Sequence, residues 1–356
     1  MPRRIHLHVG APKSGTTYLQ SRLLANQRQL RRHGLTYPLG RLRDPRIHYW
    51  GALSVVGKDH GLDPESLRDA WPRLLRACRR AAGDVVLGHE ILSSATAEQA
   101  RRVLDDLHGT GAEVHVVMTA RDLSRELTSG WQEMVKFGSV MPFGTYMRRA
   151  RRGRLEFMRS FDVQGVLTTW GADLPADRLH LVTAPGPGGA RGDLWSRFLE
   201  AVGAEPGWGP LEATRANESL GVPEVKLLRR LNSRLGDETR RGGTYAPLLE
   251  TVVVPEGLAP RRSPRITVGP QDHPWVVERS ESWMRWARQR GVRIHGDLAD
   301  LHPAEPPADR VDPDAPLPGQ VTAAAIEAMV ALLAETRSRR PAVSERARRA
   351  VGRLRG

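Results

Sequence analysis

The sequence predicts an α/β fold with a doubly wound parallel sheet and helices on both of its faces. Three observations support this prediction. Short apolar segments that favour strands alternate with amphipathic segments that favour helices. A glycine-containing turn joins the first strand to the first helix, as in the opening unit of a parallel sheet. The 356 residues are enough to bury a full core.

The segments follow one another in a regular order. "RIHLHVG" is predicted to be a buried strand, and "TTYLQSRLLANQRQLRRHG" a helix that ends at Gly34. "DVVLGHE", "EVHVVMTAR" and "RLHLVTA" are further strands, each followed by a helical pattern. The helix after the third strand begins with Asp122 as its N-cap. Residues 1–301 form the α/β domain in this prediction.

The C-terminal part has a different composition. Residues 302–318 are rich in proline and acidic side chains, which is typical of a linker. Residues 319–356 contain a short helical pattern, about 319–337, and a basic tail. The tail suits peripheral contact with an anionic surface, or alternatively a solvated chain end.

Composition narrows the class of protein. The formal charge of +14 and the pI of about 10.9 favour anionic partners. Aromatic residues are only 5% and no nucleic-acid-binding module is evident, so specific nucleic-acid recognition is not expected. No apolar run reaches eighteen residues, so no transmembrane helix is expected. A single cysteine, Cys78, and a first strand too early for a signal peptide favour a cytoplasmic location.

Lysine is rare in this arginine-rich chain, and one of its four lysines lies in the first turn. That turn, "HVGAPKSGTTYLQ", has two glycines at the spacing of a Walker A loop, but Lys13 precedes the second glycine instead of following it. A nucleoside triphosphatase loop is therefore disfavoured, and an ordinary βα turn is the plain alternative. The residue types favour an anion site at a helix N-terminus, where backbone N–H groups and hydroxyls face one phosphate. The residues predicted to form it are Lys13, Ser14, Gly15, Thr16 and Thr17.

"PKSGTTYL" resembles the 5′-phosphosulfate loop of the sulfotransferases that use 3′-phosphoadenosine-5′-phosphosulfate (PAPS), in which the pattern is approximately P-K-[SA]-G-T-[TS]-[WY]-L. The family binds the 3′-phosphate with an arginine at a strand end and a serine eight residues later. Arg121 and Ser129 match this spacing, and Arg121 leaves the carboxyl end of a strand, where ligands bind in open α/β sheets. Leu123 departs from the family, which often has proline there; the change affects helix initiation and not a ligand contact.

The resemblance implies a bacterial-type sulfotransferase that needs no metal and releases adenosine 3′,5′-bisphosphate. It also implies a glutamate or histidine base at the end of a neighbouring strand, where Glu90 is favoured over His89 because alternate strand residues face opposite sides. His48 is a weaker rival. Lys13 would stabilise the charge on the bridging oxygen. The acceptor hydroxyl or amine would belong to a small molecule, a carbohydrate or a lipid, whose identity the sequence leaves open.

"RANESL" resembles a late Asn/Ser segment of bacterial members, in which Arg215, Asn217 and Ser219 would face the 3′-phosphate. The equal alternative is a helix start capped by Ser219. The rival function for the whole chain is a kinase or another nucleotide-binding protein with a modified phosphate loop, for which Mg²⁺ dependence would be expected.

Overall fold

A computed structural model describes residues 3–39, 44–186, 188–212, 219–236, 245–315 and 317–338. It divides the chain into two compact units. The first comprises Met1–Leu127, Arg148–Ala216 and Pro270–Pro306; the second comprises Thr128–Met147, Asn217–Gly269 and Pro307–Gly356. The domain boundaries inferred from composition stay a prediction.

The first unit contains one six-stranded sheet in which every pairing is parallel. Its strands are β1 Arg4–His8, β2 Leu35–Thr36, β3 Asp84–Gly88, β4 Glu113–Ala120, β5 Leu179–Thr183 and β6 Arg293–His295. The spatial order is β2-β3-β1-β4-β5-β6. Crossovers therefore run in both directions from β1, and right-handed connections would put helices on both faces. The predicted α/β class and parallel sheet are confirmed.

The described residues also form the following helices. The α-helices are α1 Thr16–Ala25, α2 Gln27–Arg32, α3 Ile47–Val56, α4 Pro64–Arg68, α5 Ala70–Arg80, α6 Ala97–His108, α7 Leu123–Lys136, α8 Phe143–Arg151, α9 Val163–Trp170, α10 Arg191–Ala201, α11 Val222–Arg234, α12 Tyr245–Leu248, α13 His273–Arg290 and α14 Pro318–Ser338. Short 3₁₀ turns cover Glu90–Ser94, Glu156–Phe161, Ala176–Arg178, Pro206–Trp208, Ala259–Arg261 and Leu298–Leu301, and Leu249–Leu258 is a π-helix.

The predicted first helix is divided at Asn26. The Asn26 side chain is fully buried, donates to the Arg22 carbonyl at 2.9 Å, and exchanges two hydrogen bonds with the Leu211 backbone at 2.8 Å each. An asparagine amide can replace backbone partners in this way, which explains the break between α1 and α2. Strands β2 and β6 were not predicted, because a strand of two or three residues is too short to show a periodic pattern.

A hydrophobic core covers one face of the sheet. Val86, Val117 and Val182, on β3, β4 and β5, share this core with Leu19 on α1 and Phe198 on α10. The packing fixes α1, and with it the loop that precedes α1, against the sheet. None of the helices within the described ranges has an apolar stretch long enough to span a bilayer.

In the second unit, α14 packs against the π-helix and α11. The α14 bounds agree with the short helix predicted at about 319–337. Gly221, not Ser219, is the N-cap of α11. The alternative in which Ser219 caps this helix is therefore wrong, because the helix begins three residues after Ser219.

Candidate functional site

The loop between β1 and α1 lies at the carboxyl end of the central strand. The Ala11 N–H donates to the Thr119 carbonyl and the Thr119 N–H donates to the Gly10 carbonyl, both at 2.6 Å. These bonds extend the pairing of β1 with β4 into the loop. Lys13 has a φ of +67°, a region that costs a non-glycine residue on the order of 1–3 kcal/mol. Such a conformation persists only where the surroundings impose it.

The Ser14 hydroxyl bonds within the loop, and the predicted place of Ser14 in an anion site stays a prediction. Its hydroxyl is buried, donates to the Ala11 carbonyl at 2.6 Å and lies 2.6 Å from the Thr119 hydroxyl. The His8 Nε2 lies 3.2 Å from the same Thr119 oxygen. The Ser14 side chain therefore fixes the shape of the loop from inside.

The first turn of α1 supplies the donors that an anion would need. Gly15 is the N-cap with a φ of +97°, and the first helical bond is from Leu19 N–H to the Gly15 carbonyl at 3.0 Å. The positive φ favours glycine at this position, and a Cβ there would also lie 2.4 Å from the Leu194 Cδ2. No described side chain caps this helix. The N–H groups of Thr16 and Thr17 belong to the turn that lacks intrahelical partners.

Glu90 lies beside this loop. Strand β3 ends at Gly88, and Glu90 begins a 3₁₀ turn. Its Oε2 accepts a hydrogen bond from the Gln20 side chain, on α1, at 2.8 Å. A Cβ at Gly10 would lie 3.4 Å from the Glu90 carbonyl oxygen, which shows how closely the loop passes the turn. The helix opened by the loop therefore also holds the candidate base.

The choice between Glu90 and His89 does not follow from strand alternation. Glu90 lies outside the strand, and the His89 Nδ1 is 3.3 Å from the Glu90 Oε2. The placement of Glu90 within the strand was wrong because the chain turns directly after Gly88, where a Cβ would collide with the His8 backbone at 2.0 Å. Burial lowers the pKa of His89, while Glu90 raises it.

The His48 side chain makes structural contacts with both of its ring nitrogens. Its Nε2 lies 2.7 Å from the Pro38 carbonyl, and its Nδ1 accepts from the Gly88 N–H at 3.3 Å. Its ring stacks on Tyr37 with centroids 4.2 Å apart, and burial lowers the pKa of His48 to about 3. Both ring nitrogens are engaged, so this histidine has no nitrogen left to accept a substrate proton.

Arg121 follows β4 at the same edge of the sheet. Its Nη2 donates to the Arg125 carbonyl at 2.8 Å, and its Nε lies 3.5 Å from the Glu126 Oε1. Asp122 caps α7 as predicted, since its Oδ1 accepts from the Arg125 N–H at 2.9 Å. The buried Arg121 Nε has no hydrogen-bond partner among the described residues.

Glu126 is the functional candidate that the sequence reasoning missed. Its side chain is only 2% exposed, and within the described part of the chain neither carboxyl oxygen has a hydrogen-bond partner. Burial raises its pKa to about 8, opposed most strongly by Arg121 and more weakly by Lys13 and Arg125, while Asp122 adds to the rise. A signal existed: Glu126 lies on a helix face with the buried Leu123 and Leu127, where an apolar residue is the usual choice.

The influence of Lys13 on Glu126 shows that the loop and the Arg121 strand end lie within electrostatic range of each other. Of the remaining predicted ligands, Ser129 lies on the part of α7 that belongs to the second unit. Ser219 is exposed. Arg215 and Asn217 lie outside the described residues. Within the described ranges, no group of His, Cys, Asp and Glu side chains is arranged to hold a metal ion.

Comparison with protein-family models, with curated protein sequences and with solved structures found no match for this chain.

Proposed function

We propose that this chain is a sulfotransferase that transfers the sulfuryl group of PAPS to a hydroxyl or amine of an acceptor. The observation that carries the proposal is the arrangement at the ends of β1, β3 and β4. No side-chain cap is present at the N-terminus of α1 among the described residues, and Gln20 on this helix donates to the Glu90 carboxylate. Arg121 lies in the same unit. Its buried Nε is 3.5 Å from the Glu126 Oε1 but has no hydrogen-bond partner within the described ranges. Parallel strands bind ligands at this edge.

The residues present fit a ligand with two separate phosphates. The N–H groups of Gly15, Thr16 and Thr17, with Lys13, would hold the 5′-phosphate, because a helix N-terminus favours an anion. Arg121 would hold the 3′-phosphate, since a guanidinium matches phosphate oxygens. Ser129 as a second ligand of that phosphate stays a prediction from its spacing.

The chemistry assigned to this chain is proton removal and charge stabilisation. PAPS supplies the sulfuryl group when it is bound. Glu90 accepts the proton of the acceptor as the acceptor oxygen or nitrogen bonds to sulfur. The sulfur–oxygen bond to the 5′-phosphate breaks, and its electron pair stays on that oxygen, where Lys13 and the loop N–H groups stabilise the charge. The sulfuryl group carries less charge than a γ-phosphoryl group, so one lysine and oriented amides suffice in this scheme.

A binding measurement tests the class of ligand. Adenosine 3′,5′-bisphosphate should raise the unfolding temperature of the protein in a concentration-dependent manner, with the same shift in EDTA as in Mg²⁺. AMP should give a smaller shift because it lacks the 3′-phosphate. ATP binding that requires Mg²⁺ and exceeds bisphosphate binding would instead favour the kinase.

A substitution tests the base. Glu90→Gln should lower turnover by about 100-fold or more, since general-base catalysis typically contributes 10²–10⁴-fold, and should leave bisphosphate binding nearly unchanged. Glu98→Gln, at an exposed position in the first turn of α6, is the matched control and should have full activity. Wild-type turnover in Glu90→Gln would show that the base is misassigned.

A further inference from the structure

Helix α14 has apolar side chains on two opposite faces. The inner face consists of small side chains, Val321, Ala324, Ala328 and Ala331, all buried. It approaches the π-helix so closely that a Cβ at Gly257 would lie 3.2 Å from the Ala331 Cβ and 3.0 Å from the Glu327 carbonyl oxygen. Alanine and glycine make this close packing of two helices possible.

The outer face carries the larger side chains. Ile326, Met329, Val330 and Leu333 are 50–65% exposed. At 100° per residue these four positions lie within an arc of about 100°, on the opposite side of the helix from the inner face. We call these four residues the outer stripe. Scattered exposed aliphatic residues are ordinary, but four large ones on one stripe mark an interaction surface.

The size of the outer stripe argues against a second copy of this chain as its occupant. The stripe runs from residue 326 to residue 333, or about 10 Å along the helix axis. A stable protein–protein interface uses about 20–30 residues on each side. Four side chains from each of two chains fall well short of that area.

The sequence that follows the helix indicates another occupant. Residues 339–356 lie outside the described residues, and they contain seven arginines against one acidic residue, Glu345. Arginines near a membrane surface are attracted to anionic lipid headgroups, and stable attachment usually needs two signals, an apolar one and a basic one. Glu327 is the one exposed charged side chain among those described on α14, so the positive charge that such a surface needs comes from the tail.

We propose that the outer stripe of α14, together with the arginines that follow it, attaches this protein to the surface of an anionic lipid bilayer. The apolar side chains would enter the headgroup region, and the arginines would contact lipid phosphates. The proposal is independent of the proposed sulfotransferase activity, because α14 lies in the second unit and contributes no residue to the phosphate loop.

Co-sedimentation of the full-length chain with lipid vesicles tests the proposal. We expect binding to vesicles of phosphatidylcholine with phosphatidylserine, and at least tenfold weaker binding to phosphatidylcholine alone. Met329→Gln combined with Leu333→Gln should weaken binding to the anionic vesicles by about tenfold or more, since each exchange removes apolar area that would be buried. Thr322→Gln with Thr336→Gln, at exposed positions of the same helix, is the matched control and should bind like wild type.

A second variant tests the contribution of the arginines to vesicle binding. Arg348→Gln with Arg349→Gln should weaken binding to anionic vesicles and reduce its sensitivity to salt. Unchanged thermal unfolding would show that each variant is folded. Vesicle binding that Met329→Gln/Leu333→Gln leaves intact would overturn the role of the outer stripe. A dimer in sedimentation velocity that the same variant dissociates would reassign the stripe to a second copy, and binding to nucleic acid in preference to vesicles would reassign the arginines.

Discussion

Two groups of buried polar side chains in the first unit differ in how their atoms are paired. Across the sheet, the rings of His115, His180 and His295 form a row: the His115 Nδ1 lies 2.9 Å from the His180 Nε2, and the His180 Nδ1 lies 3.0 Å from the His295 Nε2. The His115 Nε2 lies 2.8 Å from Glu113. At the carboxyl end of β4, by contrast, the buried Glu126 carboxyl has no hydrogen-bond donor in the described structure.

Nearly all ring nitrogens of the three histidines have a hydrogen-bond partner within the row or at Glu113. Burial lowers the pKa of all three histidines, so they are neutral near pH 7 and supply three N–H protons. Those three protons fill the contact to Glu113 and the two contacts between rings. In this arrangement the His295 Nδ1 carries no proton. It lies 3.2 Å from the carboxylate of the exposed Glu200 and has no hydrogen-bond partner among the described residues. One unfilled contact beside solvent costs little.

Structural and functional roles favour different hydrogen bonding of buried polar side chains. Hydrogen-bonded polar groups in a core stabilise a unique packing, whereas a buried carboxyl without a hydrogen-bond donor destabilises the fold and needs another reason to be there. Sites that bind charged ligands are where such perturbed groups collect.

Glu126→Gln should raise the free energy of unfolding by about 4 kcal/mol at pH 8 and by only about 1 kcal/mol at pH 5. The folded-state pKa of about 8 lies above the ordinary value of 4.5. The unfolded chain therefore releases this proton above pH 4.5 while the folded chain retains it, so stability is lost as the pH rises from 4.5 to 8. Urea unfolding at the two pH values measures this, with Glu98→Gln as control. A gain of equal size at both pH values would contradict the assignment.

Arg121→Ala should weaken binding of adenosine 3′,5′-bisphosphate by about 100-fold and binding of AMP by less than about threefold, because a charged hydrogen bond contributes about 1.5–3 kcal/mol. Titration calorimetry measures both. The matched control is Arg178→Ala, which removes the arginine that donates to Glu113 at 2.8 Å, beside the histidine row. Similar losses for the two nucleotides, or the same loss in the control, would remove Arg121 from the 3′-phosphate site.

His180→Leu should lower the free energy of unfolding by about 2 kcal/mol without changing bisphosphate affinity. The substitution leaves the His115 Nδ1 and the His295 Nε2 without their partner, and an unpaired buried polar atom costs about 1–3 kcal/mol. His108→Leu, at an exposed position at the end of α6, should be nearly neutral. Loss of nucleotide binding in a folded His180→Leu variant would contradict the division between the two groups.

The wild-type protein should lose stability as the pH falls from 6.5 toward 4. Burial lowers the pKa of His8 to about 4 and that of His180 to about 3. Below pH 6.5 these two histidines bind protons in the unfolded chain but not in the folded chain. The free energy of unfolding therefore falls by about 1.4 kcal/mol per pH unit for each histidine. His180→Leu should reduce this slope by one proton, as measured by urea unfolding across the range. An unchanged slope would show that His180 is not among the groups responsible.

The sequence was sufficient for the fold class and for most of the sheet, because β1, β3, β4 and β5 lie in short segments rich in the strand-favouring residues Ile, Leu and Val. It also located the turn at Lys13 and the strand end at Arg121, since each adjoins such a segment. It failed for Glu90, where the strand ends two residues earlier than its pattern indicates. It failed also for Asn26, whose helix-breaking partner is 185 residues away.

The order of the strands and helices and the residue types in the loop between β1 and α1 follow from the sequence alone, because both are local properties of the chain. Which polar atoms form hydrogen bonds depends on the tertiary structure. In the folded chain the Ser14 hydroxyl bonds inside the loop, the Gln20 side chain donates to Glu90, and the His48 ring contacts the Pro38 carbonyl. The Glu126 carboxyl is buried beside Arg121. Hydrogen bonding and burial depend on segments that lie far apart in sequence, and no local pattern records them.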